Sequence, residues 1–317
     1  MKKLILCLFS IVVFTGYAYS QIDLQFSQYM FHASSFNPAA VGEGDMIQAT
    51  GHYRSQYIGV RGAPVTLAAS VNGPVKLAKN SLGVGVKFMK DKSGLYENTT
   101  FSIQGAYKKQ LEVGTLSFGL DVGGASIVFS GDSLSAYKGD DDYHKDADPI
   151  VPIVKASGIS LDLNAGVFYS NPTFYAGLSY FHLNRPVITG ASNFIYTLRG
   201  TMFLTGGYNY LIPDTKIVLK PSTIIKTSDF VNYQVDLGAR AEFNNKIWGG
   251  LAYRLEDAVV FLFGLNTNSG LGVGVSYDLV TNKLGALSSG TLEVFLAYSF
   301  DFVLKTRTSK YKSVRIL

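Results

Sequence analysis

An all-β fold, a transmembrane antiparallel up-and-down β-barrel of about 14 strands, is what this 317-residue sequence predicts. Three observations predict it. Fourteen short segments alternate apolar and polar residues, as strands with two unlike faces do. After residue 20 there is no apolar run long enough for a membrane helix of ~20 residues. The chain also opens with a secretory signal, which places its strands in a compartment bounded by an outer membrane.

Residues 1–20 read as that signal. Lys2 and Lys3 supply the positive start, Leu4 to Phe14 the apolar stretch, and Ala18-Tyr19-Ser20 a small-x-small cleavage site before Gln21. The single cysteine, Cys7, lies inside it. The mature chain therefore has no disulfide, thiol nucleophile or thiolate metal site. Formal charge is +5; without Lys2 and Lys3 it is +3, and without the five cations beyond Asp301 it is −2. The basicity is thus one local tail, not a surface for nucleic acid. A hydrophobic content of 47% with 13% aromatics suits a barrel with a lipid-facing exterior and interfacial girdles.

The barrel spans residues 46–301. Its segments are 46–54, 64–72, 81–90, 99–109, 114–126, 159–170, 173–182, 200–211, 215–225, 230–242, 246–254, 258–266, 271–280 and 290–301. Most are near the ~9–11 residues a tilted strand needs to cross a bilayer. The last is the plainest: Leu292, Val294, Leu296, Tyr298 and Phe300 alternate with Glu293, Phe295, Ala297, Ser299 and Asp301. In segments 215–225 and 258–266 polarity hardly alternates. Connections after even-numbered strands are short and rich in turn formers, such as Asn171-Pro172 and Phe243-Asn244-Asn245. Those after odd-numbered strands include the two longest, Ile127–Gly158 and Leu183–Arg199. Barrels of this kind have short periplasmic turns and long outside loops, so both chain ends are expected in the periplasm. Asn72–Asn80 reads as one longish periplasmic turn.

Residues 21–45 precede the barrel. Phe26, Tyr29, Met30 and Phe31 cluster there, and Asn37-Pro38 should break any helix. So much apolar surface is expected in the lumen or against the periplasmic rim. Parity assigns Lys87, Gln104, Asp121, Asp162, Asn164, Gln234, Asp236, Arg240, Glu242, Asp278 and Glu293 to the lumen. No ring of one charge sign stands out there. His52 should point inward two positions before Arg54.

Catalytic signatures are missing. His32, His52, His144 and His182 have no metal-ligand spacing, and there is no G-x-S-x-G elbow, so no enzyme, cofactor or metal site is assigned. Asp140-Asp141-Asp142 with Asp146 and Asp148 lacks the fixed spacing of a calcium loop and reads as a solvated outside loop. Residues 302–317 form the distinctive polar element, FVLKTRTSKYKSVRIL, alternating cations with apolar residues past the last strand.

Several stretches resemble the PorP/SprF family, outer-membrane proteins of the Bacteroidetes type IX secretion system. They are Gln28-Tyr29-Met30-Phe31 with Asn37-Pro38-Ala39, and Tyr53-Arg54-Ser55-Gln56-Tyr57 running through Gly62-Ala63-Pro64 and Thr66 to Ser70-Val71. Phe174-Tyr175-Ala176-Gly177-Leu178-Ser179 with His182-Leu183, and terminal Ser313-Val314-Arg315-Ile316-Leu317, complete the match along essentially the whole mature chain. Tyr180-Phe181 depart from it, standing where the family pattern has a small apolar residue and proline. The resemblance implies an outer-membrane component of protein secretion, linked in many species to gliding motility. Its implied partners are periplasmic lipoproteins, peptidoglycan-linked proteins, and a secreted cargo or surface adhesin. On that reading Lys305, Arg307, Lys310, Tyr311, Lys312, Arg315 and Leu317 of the tail, with Phe26, Tyr29 and Phe31, are the expected partner contacts. A passive porin is the alternative.

Overall fold

A computed structural model describes residues 25–77, 80–131, 155–191 and 194–301. The expected signal at residues 1–20, residues 132–154 with His144 and Asp140–Asp148, and residues 302–317 lie outside them. The described strands close into an antiparallel 14-strand barrel. In order they are β1 Ile47–Ser55, β2 Val65–Leu77, β3 Asn80–Ser93, β4 Tyr96–Gln110, β5 Thr115–Ser130, β6 Lys155–Ser170 and β7 Phe174–Phe181. The second half is β8 Thr201–Tyr208, β9 Ile217–Ser228, β10 Asn232–Phe243, β11 Ile247–Arg254, β12 Ala258–Asn266, β13 Leu271–Val280 and β14 Thr291–Phe300. Each strand pairs with its neighbours in sequence, and β1 closes the cylinder against β14 from Ile47↔Phe300 to Ser55↔Leu292. All fourteen segments anticipated by alternation are present.

Two prolines shape the edges of this ladder. The expected turn Asn72–Asn80 is instead strand as far as Leu77, paired with β3 down to Leu77↔Asn80. β1 leaves β2 after Gln48↔Asn72, so Pro74 sits where one side of β2 needs no donor. On β9, Pro221 lies beyond the last β8 pair, Gly207↔Ser222. The eighth strand pauses at Asn209 and resumes in the same register with Tyr210↔Leu219, because proline has no N–H for that rung.

Outward positions carry the lipid face. Phe101, Ile103, Leu120, Leu161, Leu237, Leu251, Phe263 and Leu296 are each more than half exposed. Tyr53, Tyr233, Tyr253 and Tyr277 mark the loop end of this band, and Tyr107, Tyr208, Phe243 and Tyr298 the turn end. Tyr233 and Phe243 are ten residues apart on β10, which at ~3.3 Å per residue and ~40° tilt spans about 25 Å, the height of an outer-membrane apolar band.

The polarity inverts where β3–β6 outrun this band toward the loop end. Outside, Lys90 pairs with Glu97 at 2.7 Å, and Ser126 and Ser157 follow. Inside, Ala125, Ile127, Phe129 and Ala156 form an apolar core with Ile188, Phe194 and Leu198. The last three come from the β7–β8 connection, which folds a hairpin, Val187–Thr189 with Ile195–Thr197, over the wall. A small head with its own apolar interior thus caps one side of the membrane barrel.

Candidate functional site

The lumen is filled by the chain's own N-terminal segment. From Gln25 to Gly42 it crosses the interior from the loop end to the turn end, by way of a short helix, Ala33–Phe36, and two 3₁₀ turns, Tyr29–Phe31 and Pro38–Ala40. Asn37 ends the helix in an extended conformation, as a residue before proline should. Its side chain accepts from Ala39 N at 2.9 Å, with Pro38 at the first helical position, so the Asn-Pro pair that stops one turn starts the next.

Polar contacts hold both ends. At the loop end Glu293 of β14 accepts the main-chain N–H groups of Ser27 (2.7 Å) and Gln28 (3.0 Å). The same carboxylate pairs with Arg54 of β1 at 2.8 Å. Arg54 also reaches Asp278 of β13 at 2.8 Å, and Arg254 of β11 bridges Asp278 (2.8 Å) and Asp236 (3.0 Å). Ser27 Oγ sits at the centre, donating toward Asp278 and accepting from Arg54 at 2.8 Å and Arg254 at 3.0 Å. Both arginines and both β13–β14 carboxylates are fully buried, and the pairing is what makes that burial tolerable. Lower down, Gln104 donates to Ser34 O at 2.9 Å, Asn37 donates to Val167 O at 2.9 Å, and Gly42 N donates to Asn72 at 3.0 Å. Ser179 Oγ also donates to Phe36 O, and Lys108 to Gly42 O.

Apolar packing fills the middle. Phe26 and Phe36 join Met89, Phe181, Phe203 and Ile224 from the wall. Phe31 packs against both Trp248 (4.6 Å) and Phe295 (4.7 Å), with the Arg240 guanidinium 4.2 Å above its ring. Such a contact is worth about 0.5–2 kcal/mol. The turn around Pro38 lies so close to β5 that a side chain at Gly119 would overlap the main chain of Pro38 and Ala39, and one at Gly83 of β3 would overlap Val41. The wall is bare where the segment's backbone touches it.

The family model described as type IX secretion system membrane protein PorP/SprF matches residues 18–298. The chain belongs to the PorP/SprF family. It is an outer-membrane β-barrel of the type IX secretion system. No curated protein matches it. Among solved structures, similar ones include a Pseudomonas aeruginosa FadL homologue, 12% identical over 85% of this chain and 94% of that one, with a TM-score of 0.47. The translocator domain of autotransporter NalP from Neisseria meningitidis is 12% identical over 86% and 95%, TM-score 0.46. A mutant of the TodX monoaromatic hydrocarbon channel is 11% identical over 85% and 94%, TM-score 0.45.

Of the stretches that resemble PorP/SprF proteins, the one from Gln28 to Ala39 lies in this filled lumen, while Tyr53, Val71, Phe174 and Leu178 are exposed on the outer face and residues 313–317 lie outside the described residues. Gln28, Tyr29, Phe31, Asn37 and Ala39 are on the segment and Arg54 is on the wall. Phe26 and Tyr29, expected as partner contacts, are buried at 2% and 3% exposure, and Phe31 packs against two wall rings. These three face the barrel's own interior, because a 14-strand lumen offers enough apolar wall to bury them. Lys305, Arg307, Lys310, Tyr311, Lys312, Arg315 and Leu317 lie outside the described residues. The lumen assignments of Lys87, Gln104, Asp121, Asp162, Asn164, Asp236, Glu242, Asp278 and Glu293 all correspond to buried positions. So does His52, whose ring lies between Phe26 and Phe295. His182 holds Asp162 at 2.8 Å. Among the described residues no three His, Cys, Asp or Glu side chains converge as a metal site.

Sequence reasoning missed Arg254 and the role of Ser27. A signal for the first was present: Arg254 shares parity with Trp248 and Ala252 on β11 and so had to point inward. Ser27 carried none, since a serine in an apolar cluster has no period to betray it. Asp45 and Asp301, which flank the barrel strands, lie at the turn end, and Gln25 lies at the loop end beside Gln56 (3.4 Å).

Proposed function

We propose that this PorP/SprF barrel acts by holding proteins on both sides of the outer membrane, not by conducting solutes and not by catalysis. The filled lumen is the observation that carries the reading. Seventeen consecutive residues from Gln25 to Val41 pack or bond against opposite walls, and a diffusive pore needs that space empty. With the short turns in the periplasm, the loop-end head and the long β5–β6 connection face outward, where a secreted cargo or adhesin would dock. The tail 302–317 follows β14 at the turn end, so it would meet the periplasmic secretion machinery. Five cations interleaved with Tyr311, Val314, Ile316 and Leu317 suit electrostatic steering to an acidic surface followed by apolar docking.

The purified protein in planar bilayers should show little steady conductance, and deletion of residues 21–45 should raise it. A large, stable conductance in the intact protein would favour the porin. Pull-down from membranes should recover periplasmic secretion components with the intact chain and lose them when the chain stops after Phe302.

A further inference from the structure

A cavity of about 490 Å³ opens at the loop end, between the head and the β1–β2 connection, with the start of the N-terminal segment in its floor. We propose that it is a binding site for a neutral saccharide. The proposal does not rest on the secretion role, since it concerns an equilibrium that the isolated barrel should display.

The lining decides the ligand class. Tyr57, Tyr96 and Tyr196 are among the lining residues. Tyr96 and Tyr196 are 5.5 Å apart, and Phe129 backs Tyr96 at 5.0 Å, so these two rings form a fixed apolar panel. Between the rings the wall is amide and hydroxyl: Gln56, Ser93, Asn98, Thr201 and Ser228. A ring face beside groups that both donate and accept matches a pyranose, which has a C–H face and a rim of hydroxyls. Asn98 Oδ1 is buried and accepts no hydrogen bond from the described residues. A rotation of this unpaired amide that turns the acceptor to the cavity would let a ligand hydroxyl satisfy it.

Other ligand classes fit less well. The charged groups here are one carboxylate, Asp91, one guanidinium, Arg199, and His182 on its partner Asp162, so no excess of either sign attracts an ion. An extended peptide would look for a free strand edge. β2, β3 and β4 around the opening are each paired on both sides at this level, as Thr66↔Asp91 and Asp91↔Asn98 illustrate; the head strand Ile195–Thr197 pairs on one edge only, and the tripeptide comparison below tests that edge. An acyl chain would leave those amides and hydroxyls unmatched.

The test is saturation-transfer NMR on the full-length mature barrel in a sugar-free detergent. The probes are the methyl glycosides of glucose, galactose, mannose and N-acetylglucosamine, with inorganic phosphate and a blocked Gly-Ser-Gly tripeptide as comparisons. At least one glycoside should receive transfer from the protein. Asn98→Ala, which removes no existing hydrogen bond, should weaken it by about tenfold, as loss of one good hydrogen bond does. Ser93→Trp, which fills the cavity from a strand end, should abolish it while the barrel stays heat-modifiable. The proposal is overturned if no glycoside receives transfer, if phosphate or the tripeptide binds better, or if neither substitution lowers the signal.

Discussion

Removing the Glu293 carboxylate should unseat the N-terminal segment without dismantling the wall. Three groups lean on it: the N–H of Ser27 at 2.7 Å, the N–H of Gln28 at 3.0 Å and the guanidinium of Arg54 at 2.8 Å. Arg54 keeps Asp278 after Glu293→Ala, but the two N–H groups lose their acceptor. Hydrogen bonds to a charged group are worth ~1.5–3 kcal/mol each, so the docked state should lose roughly 3–6 kcal/mol. At 1.4 kcal/mol per decade that is about two to four orders of magnitude in the population with the segment displaced. Single-channel recording is the assay. Openings that are rare in the wild type should become frequent in Glu293→Ala and intermediate in Glu293→Gln, which keeps one neutral acceptor. With Cys7, the single cysteine of the sequence, replaced by serine, Ala39→Cys gives a second readout: a maleimide should label it slowly in the parent and fast with Glu293→Ala. If opening frequency and labelling rate both stay at parental values in a folded barrel, the carboxylate does not hold the segment and the reasoning fails.

Further expectations test other contacts. Gly119→Val puts a branched side chain into the main chain of Pro38 and Ala39 and should raise conductance while leaving the heat-modifiable barrel intact; an unchanged silent trace would show that the turn can step aside. Leu237→Arg places a cation at a lipid-facing position that is 56% exposed and should cost about 2–4 kcal/mol in lipid-vesicle unfolding if near the midplane, so an unchanged urea midpoint would refute the facing. Truncation after Phe302 should leave assembly intact and abolish capture of periplasmic partners; retention of both partners and secretion would reduce the tail to fraying. Replacing its five cations by glutamine should weaken capture more at physiological salt than at high salt, where screening has already removed the attraction.

Much of the barrel was legible because lipid outside and polar groups inside write a period of two into every strand. The exceptions are instructive. Segment 258–266 hardly alternates because its inner residues Val260 and Leu262 pack in the apolar cluster beside Phe31, so the occupant erases the polar half of the pattern. The extra length of β2 was hidden by Pro74, a sound stop signal in a central strand and harmless at an edge. The clustering of Phe26, Tyr29 and Phe31 was visible, but which surface would bury them was not, since two surfaces of one chain can compete for the same aromatic residues. Ion pairs such as Arg54–Asp278 join residues more than two hundred positions apart, and only closure of the cylinder brings them together.

Ser27 touches both strands of the seam, Arg54 on β1 and Glu293 on β14. That makes the occupant a participant in biogenesis. Withdrawing all seventeen residues from a finished cylinder would break every buried polar contact together, far more than the local displacement expected of Glu293→Ala, so the wall closes around this segment. This segment, which precedes β1 in the chain, then waits, unburied, until β14 arrives to complete its surroundings. A nascent barrel with this segment unseated keeps the Arg54–Glu293 pair but leaves the buried Glu293 carboxylate without the N–H groups of Ser27 and Gln28, which penalises premature zipping of β1 onto β14. Correct closure is thereby tied to correct loading, and a barrel sealed while empty is the disfavoured product.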